Sequence, residues 1–397
     1  MPAGGGARKR SGRGPAAAPR AATCHGSDPR RYFFRMPPPA GRTFRYLRTW
    51  LADRAPLETR ELVLDRSGKE VPATLTLPAR RRVPLPTWIV LHGITRPGRA
   101  HPQLVRFTRA LASTGCAVLV PEVPEWRALE LAPALTVPTV TAALDAVEDD
   151  ARSVGLLGFS FGAPQAIAAS GHPDVRGRLA GVAGFGGYCD LERTVVYQFT
   201  GRHESPEGTH VLRPDPYGRW IVGANYLTAV PGYEDAGRVA EGLRSLAAMA
   251  GDLSVVSWDP ALEPRKREIR EGLDERERTL FDLFAPPGSV DPDPEVAEPL
   301  AHALAAAGRV VDPAMEPATR FADVPGPVHI LHGRQDHLIP FSEAARLRAA
   351  LPRGIDARAT VTRLFGHSKR DPLPAWGNLP GEAVRFLRAL GGILGVV

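Results

Sequence analysis

Cysteine and lysine are scarce in this chain, and long apolar runs are missing altogether. Three cysteines, Cys24, Cys116 and Cys189, lie far apart in 397 residues. None shares a C-x-x-C pair or a Cys/His spacing suited to zinc, so neither a metal centre nor a disulfide framework is expected, and a reducing, cytoplasmic setting is. No stretch approaches the length needed to cross a bilayer, which argues against membrane insertion. No apolar segment follows the basic residues near the start, which argues against a secretory signal. Only four of the 50 basic side chains are lysines (Lys9, Lys69, Lys266 and Lys369), a base-composition bias more than a nucleic-acid signature.

The net charge of +7 is concentrated at one end. Residues 1–35 hold Arg8, Lys9, Arg10, Arg13, Arg20, Arg30, Arg31 and Arg35 against the single acid Asp28, and the rest of the chain is formally neutral. A Gly/Ala/Pro/Arg segment of this kind buries too little apolar area to offset its ordering entropy, so residues 1–40 are expected to be a disordered basic arm. Charge confined in this way does not make the folded part a nucleic-acid binder.

From Phe44 to Ala52 a short amphipathic helix is expected, and two strand-like runs, 59–65 and 71–77, flank the turn 66–70 as a hairpin. A strand, helix, strand rhythm follows. Apolar runs at 87–92, 116–120, 154–157 and 179–185 alternate with helical patterns at 104–113 and 137–147. Strands that are apolar throughout are covered on both faces, which means a parallel sheet between helices. Residues 188–324 break the rhythm with helical patterns at 220–227, 239–249, 275–284 and 295–307, Pro-rich joints and almost nothing strand-like. They read as a helical insertion. The sheet resumes at 328–332 and 359–364, with helices at 342–351 and 382–390.

Within this rhythm one stretch carries chemistry. Gly158-Phe159-Ser160-Phe161-Gly162 follows an apolar strand and opens a small-residue helix, so Ser160 falls on a tight strand-to-helix turn where Cβ atoms at the flanking glycines would crowd their neighbours. A bare Gly-x-Ser-x-Gly match in a chain this rich in glycine is roughly a one-in-seven accident, and the flanking strand and helix are what give it weight. A serine nucleophile needs a histidine to take its proton and a carboxylate to orient that histidine. On a parallel sheet all three leave the carboxyl ends of strands. Asp336 stands just past the strand at 328–332, and His367 just past the strand at 359–364. Two backbone N–H groups must meet the developing oxyanion. Phe161 supplies one, and Ile94, in the loop His92-Gly93-Ile94-Thr95, the other.

With these residues assembled, the chain resembles the α/β-hydrolase superfamily over roughly 55–187 and 325–391, in the chain order Ser, Asp, His. The resemblance implies a mostly parallel eight-stranded sheet flanked by helices, with a helical cap inserted after the sixth strand. It divides the chain into a core (41–187 and 325–397) and a cap (188–324). It further implies Ser160 as nucleophile, His367 as general base and acid, and Asp336 as the orienting acid. Ser160 stands where dehalogenase and epoxide-hydrolase relatives carry Asp, and the lipase-type His-Gly-Gly-Gly run is absent. Rival readings stay open. Asp190 also follows a strand and competes for the acid; His332 and His337 are candidates for packing or substrate contact; His92 is a support for its loop; Asp371 is a solvated loop residue. Tyr188, Tyr197, Tyr217, Trp220, Tyr226 and Trp258 are either pocket liners or core. The expectation is a serine carboxylesterase that takes a small-molecule ester and needs no cofactor, with an acyltransferase or a non-catalytic binding protein of the same fold as alternatives.

Overall fold

The structure, a computed structural model, describes residues 40–81, 83–288, 290–364 and 379–397. Helix α1 (Ala40–Ala52) leads into the antiparallel hairpin β1 (Leu57–Arg66) and β2 (Lys69–Pro78). Ser67 and Gly68, with φ of 54° and 84°, close it in the left-handed conformation that suits a two-residue hairpin turn. Then come β3 (Leu85–Leu91), α2 (Pro102–Ala112), β4 (Ala117–Pro121), α3 (Pro124–Arg127), α4 (Thr136–Asp145), β5 (Ala151–Phe159), α5 (Gly162–Ser170) and β6 (Gly181–Phe185). The next segment holds α6 (Leu191–Thr200), β7 (Arg202–Ser205), β8 (Gly208–Val211), α7 (Pro216–Tyr226), α8 (Gly237–Leu253), α9 (Glu263–Glu271), α10 (Glu275–Asp282) and α11 (Pro294–Val311). The chain returns through β9 (Val328–Gly333), α12 (Ser342–Ala350), β10 (Ala357–Thr362) and α13 (Leu379–Leu394).

Eight strands make one sheet in the order β1-β2-β4-β3-β5-β6-β9-β10, in which β2 runs antiparallel to both neighbours and every later pairing is parallel. The uniformly apolar strands explain the layering. Every residue of β3, β4 and β6 is buried, and successive side chains point to opposite faces. Trp88 and Val90 pack with Phe107, Leu111 and Ile393 under α1, α2 and α13. Ile89 and Leu91 pack with Val140, Ile167 and Leu347 on the other side.

Between β6 and β9 the fold is chiefly helical, and acidic N-caps start α6, α7, α10 and α11. Asp190 accepts from Arg193 N at α6, Asp215 from Tyr217 N at α7, and Asp274 with Glu277 forms a capping box at α10. Two details depart from the sequence reading. Residues 202–211 form a hairpin, β7 against β8, inside the stretch expected to hold almost no strand; its polar residues present no apolar alternation, and only Pro206-Glu207-Gly208 marks the turn. In the charged run 265–278, whose composition alone suggests a solvated helix face, Lys266 is buried: its ammonium donates to Glu263 Oε1 at 2.8 Å and to the Gly288 carbonyl at 3.2 Å. Among the described residues no helix is long and apolar enough to cross a membrane.

One ion cluster ties the first hairpin to the body. Arg66 donates twice to Glu125, at 2.7 and 2.9 Å, and Lys69 once at 2.7 Å. Burial pushes the Glu125 carboxyl up, but these donors outweigh it and hold the group down from 4.5 to about 2. A depressed carboxylate contributes stability above its unfolded value and loses it as the pH falls through the folded one. Thermal melts of wild type and Glu125→Gln should therefore differ at neutral pH and converge as the pH falls from about 5 towards 2.

Candidate functional site

Ser160 sits where β5 ends and α5 begins, with φ of 53°. That left-handed backbone costs a serine on the order of 1–3 kcal/mol and is held by its surroundings. Ser160 N donates to the Phe185 carbonyl on β6 at 2.8 Å, and Ala163 N donates to Ser160 O at 3.0 Å. The glycines on either side are required by space. A Cβ at Gly158 would lie 2.0 Å from Gly162 O, and one at Gly162 would lie 2.6 Å from His92 O. Across the site a Cβ at Gly93 would come within 3.1 Å of Ser160 Cβ and 3.6 Å of its Oγ, so the loop after β3 runs directly against the serine.

That loop is braced from two sides. His92 is buried; its Nδ1 lies 2.7 Å from Gly93 O, and its Nε2 accepts from Val123 N at 3.0 Å. Buried Glu122 reaches the same Nε2 at 3.0 Å and faces the guanidinium groups of Arg99 and Arg127 at 3.4 and 3.7 Å. With both ring nitrogens engaged, His92 is a strut. From the other side, Tyr217 of α7 donates its hydroxyl to Ile94 O at 3.1 Å. Burial, followed by Asp215, holds this phenol well above its ordinary value, so it stays protonated and donating. Phe161 is buried at the first turn of α5, where backbone N–H groups lack intrahelical acceptors and the helix dipole favours negative charge.

Asp336 is fully buried just past β9. Its Oδ1 accepts from Leu338 N and Ile339 N at 2.9 and 3.0 Å, and its backbone carbonyl accepts from Tyr197 OH at 3.1 Å. Phe159, Phe185 and Leu331 form one row across β5, β6 and β9, so Ser160 and Asp336 leave the sheet at the same edge, two strands apart. His367 and Asp371 lie outside the described residues.

The rivals have other occupations. Asp190 caps α6 and lies 3.7 and 3.8 Å from the guanidinium groups of Arg193 and Arg309. His332 is wholly buried, with Nε2 3.0 Å from Ile339 O and 3.3 Å from Asp336 Oδ2. His337 Nδ1 lies 2.6 Å from Arg213 O, with its ring edge-on to Trp258 at 5.4 Å. Of the six aromatics read as liners or core, Tyr188, Tyr197, Trp220 and Tyr226 are core. Sequence reasoning did not single out Glu122, whose only signal is an acid placed directly after an apolar strand, nor the Tyr217 contact, which joins residues 123 positions apart.

No protein-family model matches the sequence, and no curated protein matches it. Among solved structures, the chain is similar to brefeldin A esterase, a bacterial homologue of human hormone-sensitive lipase, at 17% identity and TM-score 0.44, covering 90% of this chain and 85% of that one. It is similar to Est1E from Butyrivibrio proteoclasticus at 13% identity and TM-score 0.44, covering 84% and 99%. It is also similar to 2-hydroxy-6-oxo-6-phenylhexa-2,4-dienoate hydrolase from Rhodococcus sp. strain RHA1, at 14% and 0.42, covering 83% and 99%. Eight strands in this order and direction, with a left-handed residue on the turn between the fifth strand and its helix, are the α/β-hydrolase fold.

Proposed function

We propose that the chain is a serine hydrolase that cleaves carboxylic esters through an acyl-enzyme. The observation that carries this reading is Ser160 itself, a non-glycine residue in a left-handed conformation on a turn packed so closely that the residues two places before and after it must be glycine. Strain of this kind is expected where a side chain must be presented at a fixed point. In the proposed cycle His367 takes the Ser160 proton as Oγ attacks the acyl carbon, and then delivers it to the leaving alcohol. Asp336 orients that imidazole and stabilises its cation; its Oδ1 is already fixed by two N–H donors. The N–H groups of Phe161 and Ile94 receive the oxyanion, water releases the acid, and no cofactor takes part. The segment 188–324 acts as the cap that shapes the acyl pocket.

Turnover of p-nitrophenyl esters of graded acyl length tests the reading. Hydrolysis by wild type, labelling of Ser160 by a fluorophosphonate, and loss of both in Ser160→Ala are expected. Equal rates for wild type and Ser160→Ala would overturn it. Because Tyr217 holds the Ile94 carbonyl and so fixes the residue whose N–H is to meet the oxyanion, Tyr217→Phe should lower kcat about tenfold, the worth of one hydrogen bond, with KM little changed.

A further inference from the structure

The helix outermost on the α1/α2/α13 side of the sheet has an unusual exterior. On its inner face Tyr46 stacks with Trp50 at 6.2 Å and meets Phe107 edge-on at 5.8 Å. Arg106 donates to Trp50 O at 2.6 Å and lies over the Trp50 ring, so α1 is anchored against α2. Its outer face carries Phe44, Arg48 and Leu51 at positions i, i+4 and i+7, with Arg45 beside them. Phe44 is 64% exposed and Leu51 77%. These are large apolar side chains left in water on a helix that has no acidic residue.

The neighbouring surface has the same character. Arg42, Arg152, Pro84 and Thr114 are among the residues lining a cavity of about 300 Å³, and Val83, next to Pro84, is 64% exposed. Arg42 donates to Val397 O and Arg45 to Thr114 O, both backbone carbonyls, and no ion pair is formed by Arg45, Arg48 or Arg152 among the described residues. Arg42 is held below its ordinary value by burial and then by the like charges of Arg45 and Arg152, with Cys116 opposing. The acids closest in sequence are Asp53, held by Arg109 at 3.3 Å, and Asp149 and Asp150 just before Arg152.

We propose that this face of α1 docks the protein peripherally on an anionic lipid bilayer. Phe44 and Leu51 enter the headgroup boundary while Arg45 and Arg48 meet lipid phosphates and carboxylates. Exposed apolar side chains interleaved with arginines on one helix face are what a bilayer interface selects, and two apolar anchors alone hold too weakly, so charge must supply the rest. Nucleic acid would use the arginines equally well, and unpaired bases could stack on Phe44, but it has no use for Leu51, an aliphatic side chain left exposed at the other end of the stripe. The proposal does not depend on the reaction at Ser160.

Co-sedimentation of the full chain with vesicles tests it, using phosphatidylcholine alone or phosphatidylcholine mixed with phosphatidylserine. Binding should need phosphatidylserine and fall with added salt. Each basic side chain is worth roughly a fivefold change, so Arg45→Glu/Arg48→Glu should weaken binding more than about tenfold. Phe44→Ser/Leu51→Ser should cost a similar factor while keeping the salt dependence. All four positions are exposed or at the surface, so the melting temperatures should match wild type; the milder Arg48→Gln should show a smaller loss in the same direction. Three results would overturn the proposal: no anionic vesicle binding by wild type, vesicle binding by either double variant equal to wild type, or binding to an RNA homopolymer that the Phe44→Ser/Leu51→Ser variant retains while vesicles are ignored.

Discussion

Ser160→Gly should lose ester turnover by a factor on the order of a million and, at the same time, melt at a higher temperature than Ser160→Ala. Both variants remove Oγ, so the loss of rate is common to them. They differ in the backbone. At φ of 53° alanine keeps the strain that serine bears, whereas glycine adopts this conformation freely. Set against the greater freedom of glycine in the unfolded chain, the net advantage of Ser160→Gly over Ser160→Ala is about 1 kcal/mol. Denaturant midpoints of the two variants measure it. A glycine variant no more stable than the alanine variant would mean that the turn is relaxed and that no strain is stored in presenting Ser160. Activity surviving in both would remove Ser160 from the chemistry.

Much of the frame that positions Ser160 was legible because strands covered on both faces must be apolar at every position. The runs 87–92, 116–120 and 328–332 anticipated β3, β4 and β9 to within two residues at each end, and the Gly-x-Ser-x-Gly turn fell between β5 and α5 as expected. The hairpin β1–β2 was readable from Ser67-Gly68 between two extended runs. What was not legible is carried by long-range contacts. Nothing local in Tyr217 tells that its hydroxyl meets Ile94 O, and nothing near Glu122 tells that Arg99, Arg127 and His92 converge on it. Helix α6 is likewise not legible in the sequence. Its sequence, Leu191–Thr200, has no long apolar stripe, and its limits are set by the Asp190 cap and by Gly201 in the left-handed conformation. Lys266 shows the limit of reading charge as exposure: an ammonium can be buried when a carboxylate three residues away and a backbone carbonyl both turn towards it.

Gly158→Ala should be the most damaging single-methyl change in the sheet. Its Cβ would sit 2.0 Å from Gly162 O, 2.5 Å from Gly162 C and 2.8 Å from Ala163 N. All three are backbone atoms at the start of α5, so no side chain can rotate away and the helix itself has to move. Overpacking against adjustable side chains costs about 1–3 kcal/mol, and a contact that must displace a helix terminus lies at or above the top of that range. Gly177→Ala provides the contrast. At φ of 88° it carries a conformational penalty, but a Cβ there meets nothing within 4 Å, so about 1 kcal/mol is expected. Denaturant titration of the two variants separates steric from conformational demand. Because α5 begins two residues after Ser160, the movement forced by Gly158→Ala also shifts the Phe161 peptide and the Ser160 hydroxyl, and its turnover should fall by more than its stability loss explains when assayed well below its melting temperature. A Gly158→Ala enzyme as stable and as active as Gly177→Ala would show that the elbow can be widened without cost, and the tightness of the turn would then have no part in positioning the nucleophile.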